Sequence, residues 1–328
     1  MAHTKRTFRH EAVDFSCRFQ KQLLCWFDTH KRNLPWRVER DPYRVWISEV
    51  MLQQTRVAVV IGYYERFMAR FPDIYALARA RESAVLAAWS GLGYYRRARA
   101  AHAASKMVVR ELGGQFPRSS EQLRQLPGVG RYTAAAIASI AFGEACAVVD
   151  GNVERVLRRI TGLQDLIGEK TWELAQDILS PSRPGDFNEA LMELGATVCL
   201  PGEPACARCP VYQLCKTLGR GNRAAGSVRL KKQEAYALRR AGRSVYLVKR
   251  PKSAPLMPTL WELPKATSPD AEVLFTLRHA ITNTDYTVTV VNGNGHQPAG
   301  GRWISLTRAA DLGLTGLTRK ILKKAEAI

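Results

Sequence analysis

The sequence lacks any long apolar run, and its longest ones, such as AAAIASIAF, are too short to span a bilayer. We therefore expect no transmembrane helix and no membrane partner. The first residues, MAHTKRTFRHEAVDF, contain no apolar stretch of the kind that a signal peptide needs, so we expect a cytoplasmic protein. No repeat with a period of roughly 20–50 residues is visible, which argues against solenoids and propellers.

Acidic residues are scarce relative to basic ones. The 328 residues include 49 Lys and Arg but only 29 Asp and Glu, which gives a formal net charge of +20. This excess favours a polyanionic partner, with nucleic acid as the leading candidate and a nucleoid-associated location as the corollary. A protein that merely has a high isoelectric point is the alternative. The positive charge is spread along the chain, which argues against binding to a membrane surface.

The composition divides the chain into a helical part and a mixed part. Successive stretches with helical periodicity predict a mainly α domain at 1–215, including one helix from Asp41 to Phe71 that begins with an aspartate N-cap. Residues 216–233 are rich in Gly, Lys and Arg and predict a linker. The strand-like runs SVYLVKR, YTVTVVNG and GRWISL follow, with a basic helix after them, so we predict a smaller α+β domain at 234–328.

Cysteine is also scarce, but four of the seven lie within CLPGEPACARCPVYQLC. Gaps of six, two and five residues separate the four: Cys199, Cys206, Cys209 and Cys215. Four thiolates complete a tetrahedral metal site or hold an iron–sulfur cluster. Structural zinc sites usually pair two short knuckles, and one two-residue gap occurs here, so a group larger than one ion is favoured and zinc is the alternative. We expect the others to be small core residues: Cys17, Cys25 and Cys146.

The stretch LPGVGRYTAAAIASI combines a glycine turn with the start of a helix. Pro127 ends the preceding helix, and Gly128, Val129 and Gly130 form the turn. The glycines permit backbone dihedrals that are closed to most residues. The free N–H groups of the next helix point into the turn and, with the helix dipole, form an anion site. A DNA phosphate is the expected anion, held without reading of the base sequence.

With these motifs the chain resembles the helix-hairpin-helix DNA glycosylases, and specifically the MutY-type adenine DNA glycosylases. The resemblance covers roughly residues 20 to 215. It rests on LPWR, WISEVMLQQT, GLGYYRRAR, LPGVGRYTA, VVDGNVERVL, FNEALMELGA and the four-cysteine loop. It implies a mainly α helix-hairpin-helix glycosylase fold with a [4Fe–4S] loop at 199–215, followed by a smaller α+β Nudix-like domain.

The resemblance also implies a cofactor and a partner. The four cysteines would hold a [4Fe–4S] cluster that fastens a DNA-contacting loop, with Arg208 and Lys216 available for phosphates. The partner would be double-stranded DNA containing adenine opposite 8-oxoguanine or guanine, and we expect a monomer. The reaction implied is hydrolysis of the N-glycosidic bond of the mispaired adenine in base-excision repair.

Two carboxylates are candidates for the chemistry. Glu49 lies between apolar residues of a predicted helix, where loss of water raises the pKa of an acid. The resemblance assigns it as the general acid that protonates adenine N7, and assigns Asp150 to stabilise the sugar cation, as paired carboxylates do in glycoside cleavage. The structural alternatives are a buried ion-pair partner for Glu49 and an N-cap for Asp150, which precedes a predicted helix.

Tyr132 separates two reaction types. Related enzymes of the endonuclease III type carry a lysine at this position, which forms a Schiff base and leads to strand cleavage. A phenol cannot form an imine, so we expect a monofunctional glycosylase. An endonuclease III-like lyase acting on damaged pyrimidines and a non-catalytic DNA-binding iron–sulfur protein are the alternative functions.

Base extrusion and base binding complete the implied site, because a stacked base must leave the helix to be cleaved. The resemblance assigns Gln54 and Tyr94 as wedge residues that fill the vacated stack. The same resemblance assigns four residues to the adenine pocket: Arg32, Trp36, Arg37 and Glu189. Ordinary core packing is the alternative for the aromatic residues.

The C-terminal domain resembles the Nudix-like domain that reads 8-oxoguanine, with TLWELP similar to its beginning. The run of Arg and Glu ligands that a Nudix hydrolase needs for magnesium is missing, so we expect a reader without hydrolase activity. In the recognition hairpin, Thr282 and Asn283 can hydrogen-bond a purine edge. The aromatic and histidine residues common in that hairpin are replaced here.

Overall fold

The computed structural model describes residues 2–218, 229–267, 271–281, 283–293, 300–310 and 312–326. In chain order the helices are α1 (Ala2–His30), α2 (Pro42–Leu52), α3 (Val57–Arg70), α4 (Ile74–Arg79), α5 (Glu82–Trp89), α6 (Tyr95–Glu111), α7 (Ser120–Leu123), α8 (Arg131–Phe142), α9 (Gly151–Thr161), α10 (Glu169–Asp177), α11 (Pro184–Thr197), α12 (Leu306–Ala310) and α13 (Gly316–Lys324). Short 3-10 helices lie at Pro35–Arg37, Cys206–Arg208 and Tyr212–Leu214.

The strands of the described residues all lie between α11 and α12. They are β1 (Leu230–Leu238), β2 (Arg240–Ala241), β3 (Ser244–Lys249), β4 (Trp261–Glu262), β5 (Val273–Ile281), β6 (Thr284–Asn292) and β7 (Gly301–Ser305). The predicted order, with a mostly helical N-terminal part before a sheet-containing C-terminal part, is therefore confirmed.

The described residues form two compact units. One comprises those of Met1–Gln54 and Met107–Ala225, and the other those of Thr55–Lys106 and Gly226–Ile328. Helices α3, α4 and α5 thus share a unit with the strands. The domain boundaries that we drew from the sequence stay a prediction.

Helix ends follow the expected local chemistry, with one correction. Asp41 caps α2 by accepting a hydrogen bond of 2.9 Å from the Arg44 amide, and Gly143 ends α8 in the left-handed conformation at φ 73°. The single helix predicted from Asp41 to Phe71 is wrong, because α2 ends at Leu52 and α3 begins at Val57. Gln54 has a φ of 54° between them, which no α-helix accommodates.

Close packing of α11 positions the helices of the first unit. A Cβ on Gly185 would lie 2.6 Å from the Ser139 carbonyl oxygen of α8, and one on Gly195 would lie 2.6 Å from the Cβ of Asn152 on α9. Glycine at both points lets α11 touch α8 and α9 directly. The core beneath is apolar and includes Phe187, whose ring meets that of Phe19 edge-on.

The described residues of the second unit form two sheets. In one, β6 lies between β1, to which it is parallel, and β5, to which it is antiparallel. In the other, β3 pairs with β2, β4 and β7. Apolar side chains from both sheets and from α13 form one core, which contains Leu247, Val288 and Ile321.

The predicted linker lies only partly within the described residues, which resume at 229. Its last part, 230–233, lies in β1, because the backbone there pairs with β6 in spite of the charged side chains of Lys231 and Lys232. None of the helices among the described residues is long and apolar enough to cross a membrane.

Candidate active site

The carboxyl of Glu49 lies inside the first unit, where 5% of the residue is exposed. Its Oε2 accepts a hydrogen bond of 2.6 Å from the Tyr132 hydroxyl. The pKa of Glu49 is raised to about 7, chiefly by burial and also by the negative charges of Glu189 and Asp150. The Tyr132 hydrogen bond and the positive charge of Arg37 act in the opposite direction. An acid in this environment holds a proton near neutral pH.

Helix α2 places Glu49 in the core because its neighbours along the helix are almost all apolar. Every residue from Val45 to Met51 is buried, and the Trp46 ring meets Phe116 edge-on at 5.5 Å between centroids. Helix α2 packs against α8, which carries Tyr132. A carboxyl held in that row is separated from bulk water on most sides, and this is the physical cause of its raised pKa.

Tyr132 lies in the first turn of α8, half-buried, and points at the acid. Its hydroxyl donates to Glu49 and also lies 3.3 Å from the Met192 sulfur. Burial raises its pKa well above the usual value, and the charges of Glu49 and Asp150 add to the effect. The phenol therefore stays protonated and orients the carboxyl by donating to it.

Asp150 is the N-cap of α9, as the structural alternative predicted. Its Oδ1 accepts from the amides of Asn152 and Val153 at 2.9 and 2.8 Å, and its Oδ2 accepts from the Asn152 side chain at 2.8 Å. Three donors thus hold the carboxylate in one orientation. Its charge acts on Glu49, so the cap and an electrostatic function at the site are compatible.

Arginines and glutamates from two elements meet beside Glu49. Arg37 Nε donates to Glu189 at 2.8 Å, and Arg37 Nη2 donates to Glu193 at 3.0 Å. Arg32 binds Glu193 through Nε and Nη2, at 2.6 and 2.8 Å. Trp36 is buried in the short helix between these arginines. Both glutamates are buried, and charge-assisted hydrogen bonds of this kind fix side-chain geometry more than they add net stability.

The glycine turn has the predicted geometry, but the preceding helix, α7, ends at Leu123 and not at Pro127. Gly128 has a φ of 75°, Gly130 is the N-cap of α8 without any side-chain cap, and Val129 is buried beneath them. Beyond Gly130 itself and its two chain neighbours, no heavy atom lies within 4 Å of the position that a Cβ on Gly130 would occupy. The first turn of a twelve-residue helix is thus exposed to an approaching anion.

Both predicted wedge residues have strained backbones. Gln54 and Tyr94 have φ values of 54° and 49°, and both side chains are exposed. The guanidinium of Arg97 lies over the Tyr94 ring, 5.3 Å from its centroid. Left-handed conformations cost residues with a Cβ about 1–2 kcal/mol each and are common at functional sites.

The four clustered cysteines line one cavity, together with mostly apolar side chains from α9 and α11. Arg159 Nη1 lies 3.3 Å from the Cys199 sulfur and donates to the Leu200 carbonyl at 2.8 Å. Burial raises the pKa of Cys209 to about 11, and the other thiols of the cavity contribute. Thiols that oppose one another's ionisation are a donor set suited to a bound cationic group. Within the described ranges, no group of three or more His, Cys, Asp or Glu side chains is arranged to hold a metal ion.

The expectation for the remaining cysteines is wrong in two cases. Cys17 and Cys25 are exposed on α1, and Cys146 is half-buried with its sulfur 3.5 Å from the Ala135 carbonyl. The missed signal was the apolar stripe of Phe19, Leu23 and Phe27 on α1, because both exposed thiols lie off that stripe.

Known proteins resemble this chain in sequence and fold. A family model described as "HhH-GPD superfamily base excision DNA repair protein" matches residues 47–181. A solved structure titled "Structure of a thermostable thymine-DNA glycosylase" is 31% identical, has a TM-score of 0.59 and is covered over 97% of its length by 63% of this chain. The chain belongs to the HhH-GPD superfamily.

Curated relatives extend the similarity of this HhH-GPD chain. It is 52% identical over 212 residues to "Adenine DNA glycosylase" of Homo sapiens, which is 60% of this chain and 39% of that protein. The Arabidopsis thaliana protein of the same name is 41% identical over 310 residues, or 79% of this chain and 49% of that protein. The chain thus spans half the length of these relatives or less. The resemblance to MutY-type adenine glycosylases inferred from sequence is confirmed.

The sequence did not predict several contacts around the candidate active site. Glu193, 2% exposed, is the shared anchor of both predicted pocket arginines. Its position one helical turn after Glu189 on α11 was the available signal. Arg155 was also missed: it donates to the Asn152 side chain at 2.8 Å and to the Cys199 carbonyl at 2.9 Å. It therefore joins the cap of Asp150 to the cysteine loop.

The residues predicted to contact DNA outside the buried site are placed as follows. Arg208 and Lys216 are exposed in the cysteine loop and just after it. Asn283 lies in the turn between β5 and β6, where its carbonyl accepts from the Leu230 amide at 2.9 Å. Thr282 lies outside the described residues.

Proposed function

We propose that this chain is a monofunctional DNA glycosylase that hydrolyses the N-glycosidic bond of adenine mispaired with 8-oxoguanine or guanine. The observation that carries the proposal is the buried carboxyl of Glu49, whose pKa of about 7 suits a proton donor at neutral pH. The superfamily membership and the relatives named adenine DNA glycosylase support the same reaction.

In the proposed mechanism, Glu49 donates its proton to N7 of the extruded adenine. The base then leaves with the electron pair of the glycosidic bond, and the sugar carries the positive charge. The oriented carboxylate of Asp150 stabilises this cation until water adds to it and gives up a proton, which restores the acid form of Glu49. Tyr132 directs the proton of Glu49 by holding its carboxyl in place.

Strand cleavage is not part of the proposed reaction. A lyase needs an amine that attacks the sugar carbon to form an imine, and the residue that faces Glu49 here is a phenol. We therefore propose that the product is an abasic site in an intact strand.

The proposed partner is double-stranded DNA, to which the chain binds as a monomer at the nucleoid in the cytoplasm. Gly128, Val129 and Gly130 would bind a phosphate at the start of α8, and Gln54 and Tyr94 would fill the stack that the adenine leaves. The adenine pocket is proposed to include Arg32, Trp36, Arg37 and Glu189. The chain's net charge of +20 favours the encounter.

The cysteine cavity is proposed to hold a [4Fe–4S] cluster through Cys199, Cys206, Cys209 and Cys215. Such a cluster supplies a structural link and takes no part in the proposed hydrolysis. The exposed side chains of Arg208 and Lys216 would bind phosphates from the loop that the cluster fastens.

For the C-terminal part we propose a Nudix-like domain, 234–328, that follows the helix-hairpin-helix domain 1–215 and the linker 216–233. It would read the 8-oxoguanine opposite the adenine through Thr282 and Asn283, without hydrolysing nucleotides. The strands and the core that they share with α13 provide a scaffold of suitable size.

A single-turnover assay on duplexes with adenine opposite 8-oxoguanine, guanine, cytosine and thymine tests the proposal. We expect free adenine from the first two duplexes, with strands that break only after alkali. Scission trapped by borohydride would instead identify a lyase. Protein with a full complement of iron that releases no adenine from any duplex would overturn the proposed function.

A further inference from the structure

The turn Ser90–Tyr94 between α5 and α6 has an unusual backbone. Its φ is positive at Gly91, Gly93 and Tyr94, at 112°, 72° and 49°. Glycine adopts such angles freely, whereas tyrosine does so at a cost. The Tyr94 side chain is nevertheless 42% exposed, so its own burial does not hold the conformation. The surrounding structure must therefore stabilise it.

Both ends of this turn are fastened to one carbonyl far along the chain. Ser90 Oγ and the Tyr95 hydroxyl each donate to the Leu314 carbonyl oxygen at 2.8 Å. A carbonyl oxygen has two lone pairs and accepts both bonds. Arg319 Nε donates to Ser90 Oγ at 3.1 Å. Ser90, Tyr95 and Leu314 are all buried, so a broken bond here would leave a polar group without water.

The Leu314 carbonyl is itself held in place by the sheet. The Trp261 amide of β4 donates to the Gly313 carbonyl at 2.9 Å, and the Thr315 amide donates back to Trp261 at 2.9 Å. Thr315 then caps α13 by accepting from the Thr318 amide at 3.2 Å. The acceptor of both turn bonds is thus part of the β4–α13 framework.

The contacts inside the turn are local by comparison. Trp89 Nε1 donates to the Gly93 carbonyl at 3.1 Å, and Arg97 lies over the Tyr94 ring. Both residues belong to the helices that flank the turn. Leu314 and Arg319 come from more than 200 residues later in the sequence, so the turn depends on the C-terminal part of the chain for its shape.

We propose that Ser90, Tyr95 and Arg319 are positioning residues for Tyr94. Through them the sheet-containing part of the chain sets the geometry of the wedge, and so acts on extrusion of the adenine as well as on reading of the opposite base. This inference rests on the proposed function, because the position of Tyr94 affects activity only if it enters the base stack.

The test removes one hydroxyl at a time. Tyr95→Phe keeps the ring and deletes the bond to Leu314, and Tyr236→Phe is the matched control, because its hydroxyl donates at 3.0 Å to Glu234 within the sheet. Extrusion is measured by the fluorescence of 2-aminopurine at the target position. We expect Tyr95→Phe to lower extrusion by about threefold to tenfold, the usual effect of one hydrogen bond, and Tyr236→Phe to leave it unchanged.

A double-mutant cycle shows whether the effect passes through Tyr94. In a Tyr94→Ala background, Tyr95→Phe should cause no further loss, because the side chain that it positions is gone. The same loss in both backgrounds would overturn the inference. Arg319→Ala should behave like Tyr95→Phe, and Arg319→Lys should restore part of the extrusion by keeping a donor.

Amide hydrogen exchange in DNA-free protein separates this inference from the proposed function. Residues 89–97 should exchange faster in Tyr95→Phe and in Arg319→Ala than in the wild type or Tyr236→Phe. Unchanged exchange there would overturn the inference even if the wild type releases adenine. A wild type that releases none would overturn the proposed function and leave the exchange result standing.

Discussion

Tyr132 donates a hydrogen bond of 2.6 Å to the buried carboxyl of Glu49, whose neighbours along α2 are mostly apolar. The bond has two opposed consequences. It fixes the direction of the carboxyl, and it lowers a pKa that burial raises. The resulting value of about 7 leaves the acid partly protonated at neutral pH, which is the state that a proton donor to adenine needs.

The first prediction concerns the acid itself. Glu49→Gln keeps the shape of the side chain but has no proton of suitable acidity to give. We expect adenine release to fall by about 100-fold to 10,000-fold, the range attributed to a general acid, while binding to the mismatch persists. Single-turnover rates and duplex titrations measure both quantities. A variant with wild-type rates would favour the alternative of a non-catalytic DNA-binding protein.

The second prediction concerns the pH dependence. The proposed reaction requires protonated Glu49, so the wild-type rate should fall as pH rises through about 7. Tyr132→Phe removes the bond that lowers this pKa, and the falling limb should therefore move to higher pH. Tyr236→Phe, which loses a buried hydroxyl far from the acid in sequence, should keep the wild-type profile. A limb that moves to lower pH in Tyr132→Phe would contradict this reading of the pair.

The sequence was informative where a local pattern carries the chemistry. An acid among apolar helical residues predicted the buried environment of Glu49, and the Gly128–Gly130 pattern predicted an exposed helix start. Asp150 illustrates a choice that pattern alone left open. Its carboxylate caps α9 and its charge also acts on Glu49, so both readings of that residue describe real interactions.

Long-range contacts could not be read from the sequence in the same way. Glu193 anchors Arg32 and Arg37 from more than 150 residues away, and nothing local to either arginine specifies that partner. The break in the helix at Gln54 was missed for a different reason. Apolar periodicity continues through the break, and the left-handed backbone of a glutamine has no compositional signal.

The third prediction links Glu49 to stability. Its pKa is about 7 in the folded protein against the ordinary glutamate value of 4.5, so the folded state binds the proton more tightly. This stabilisation is complete below pH 4.5 and is lost as pH rises through about 7, by about 3 kcal/mol in all. Glu49→Gln cannot lose it. The wild type should therefore lose unfolding free energy relative to the variant as pH rises from 4.5 to above 7. Urea unfolding of both proteins across this range measures the difference. A constant difference would exclude the raised pKa.

The fourth prediction uses two glycines of one turn. Gly130 has an ordinary φ of −87°, and a Cβ added there meets no other part of the chain within 4 Å. Gly130→Ala should therefore change the free energy of unfolding by less than about 1 kcal/mol. The added methyl would nevertheless occupy the approach of a phosphate to α8, and DNA affinity should fall. Gly128 has a φ of 75°, which a residue with a Cβ adopts at a cost, so Gly128→Ala should destabilise the fold by about 1–2 kcal/mol. Urea unfolding and duplex binding at two salt concentrations separate the effects, and equal DNA affinity for Gly130→Ala and wild type would remove the turn from the interface.

The fifth prediction concerns the cysteine cavity. Cys209→Ser changes one of the four thiols that line it. The control, Cys146→Ser, changes a half-buried thiol that is hydrogen-bonded to the Ala135 carbonyl and does not line the cavity. Because a cluster with four ligands tolerates the loss of one poorly, we expect Cys209→Ser to lose iron and acid-labile sulfide while Cys146→Ser keeps both. The measurement is the iron and sulfide content per chain after identical purification. Zinc in place of iron in the wild type would favour the alternative of a single zinc ion in the cavity. Equal iron in both variants would show that Cys209 is not a ligand.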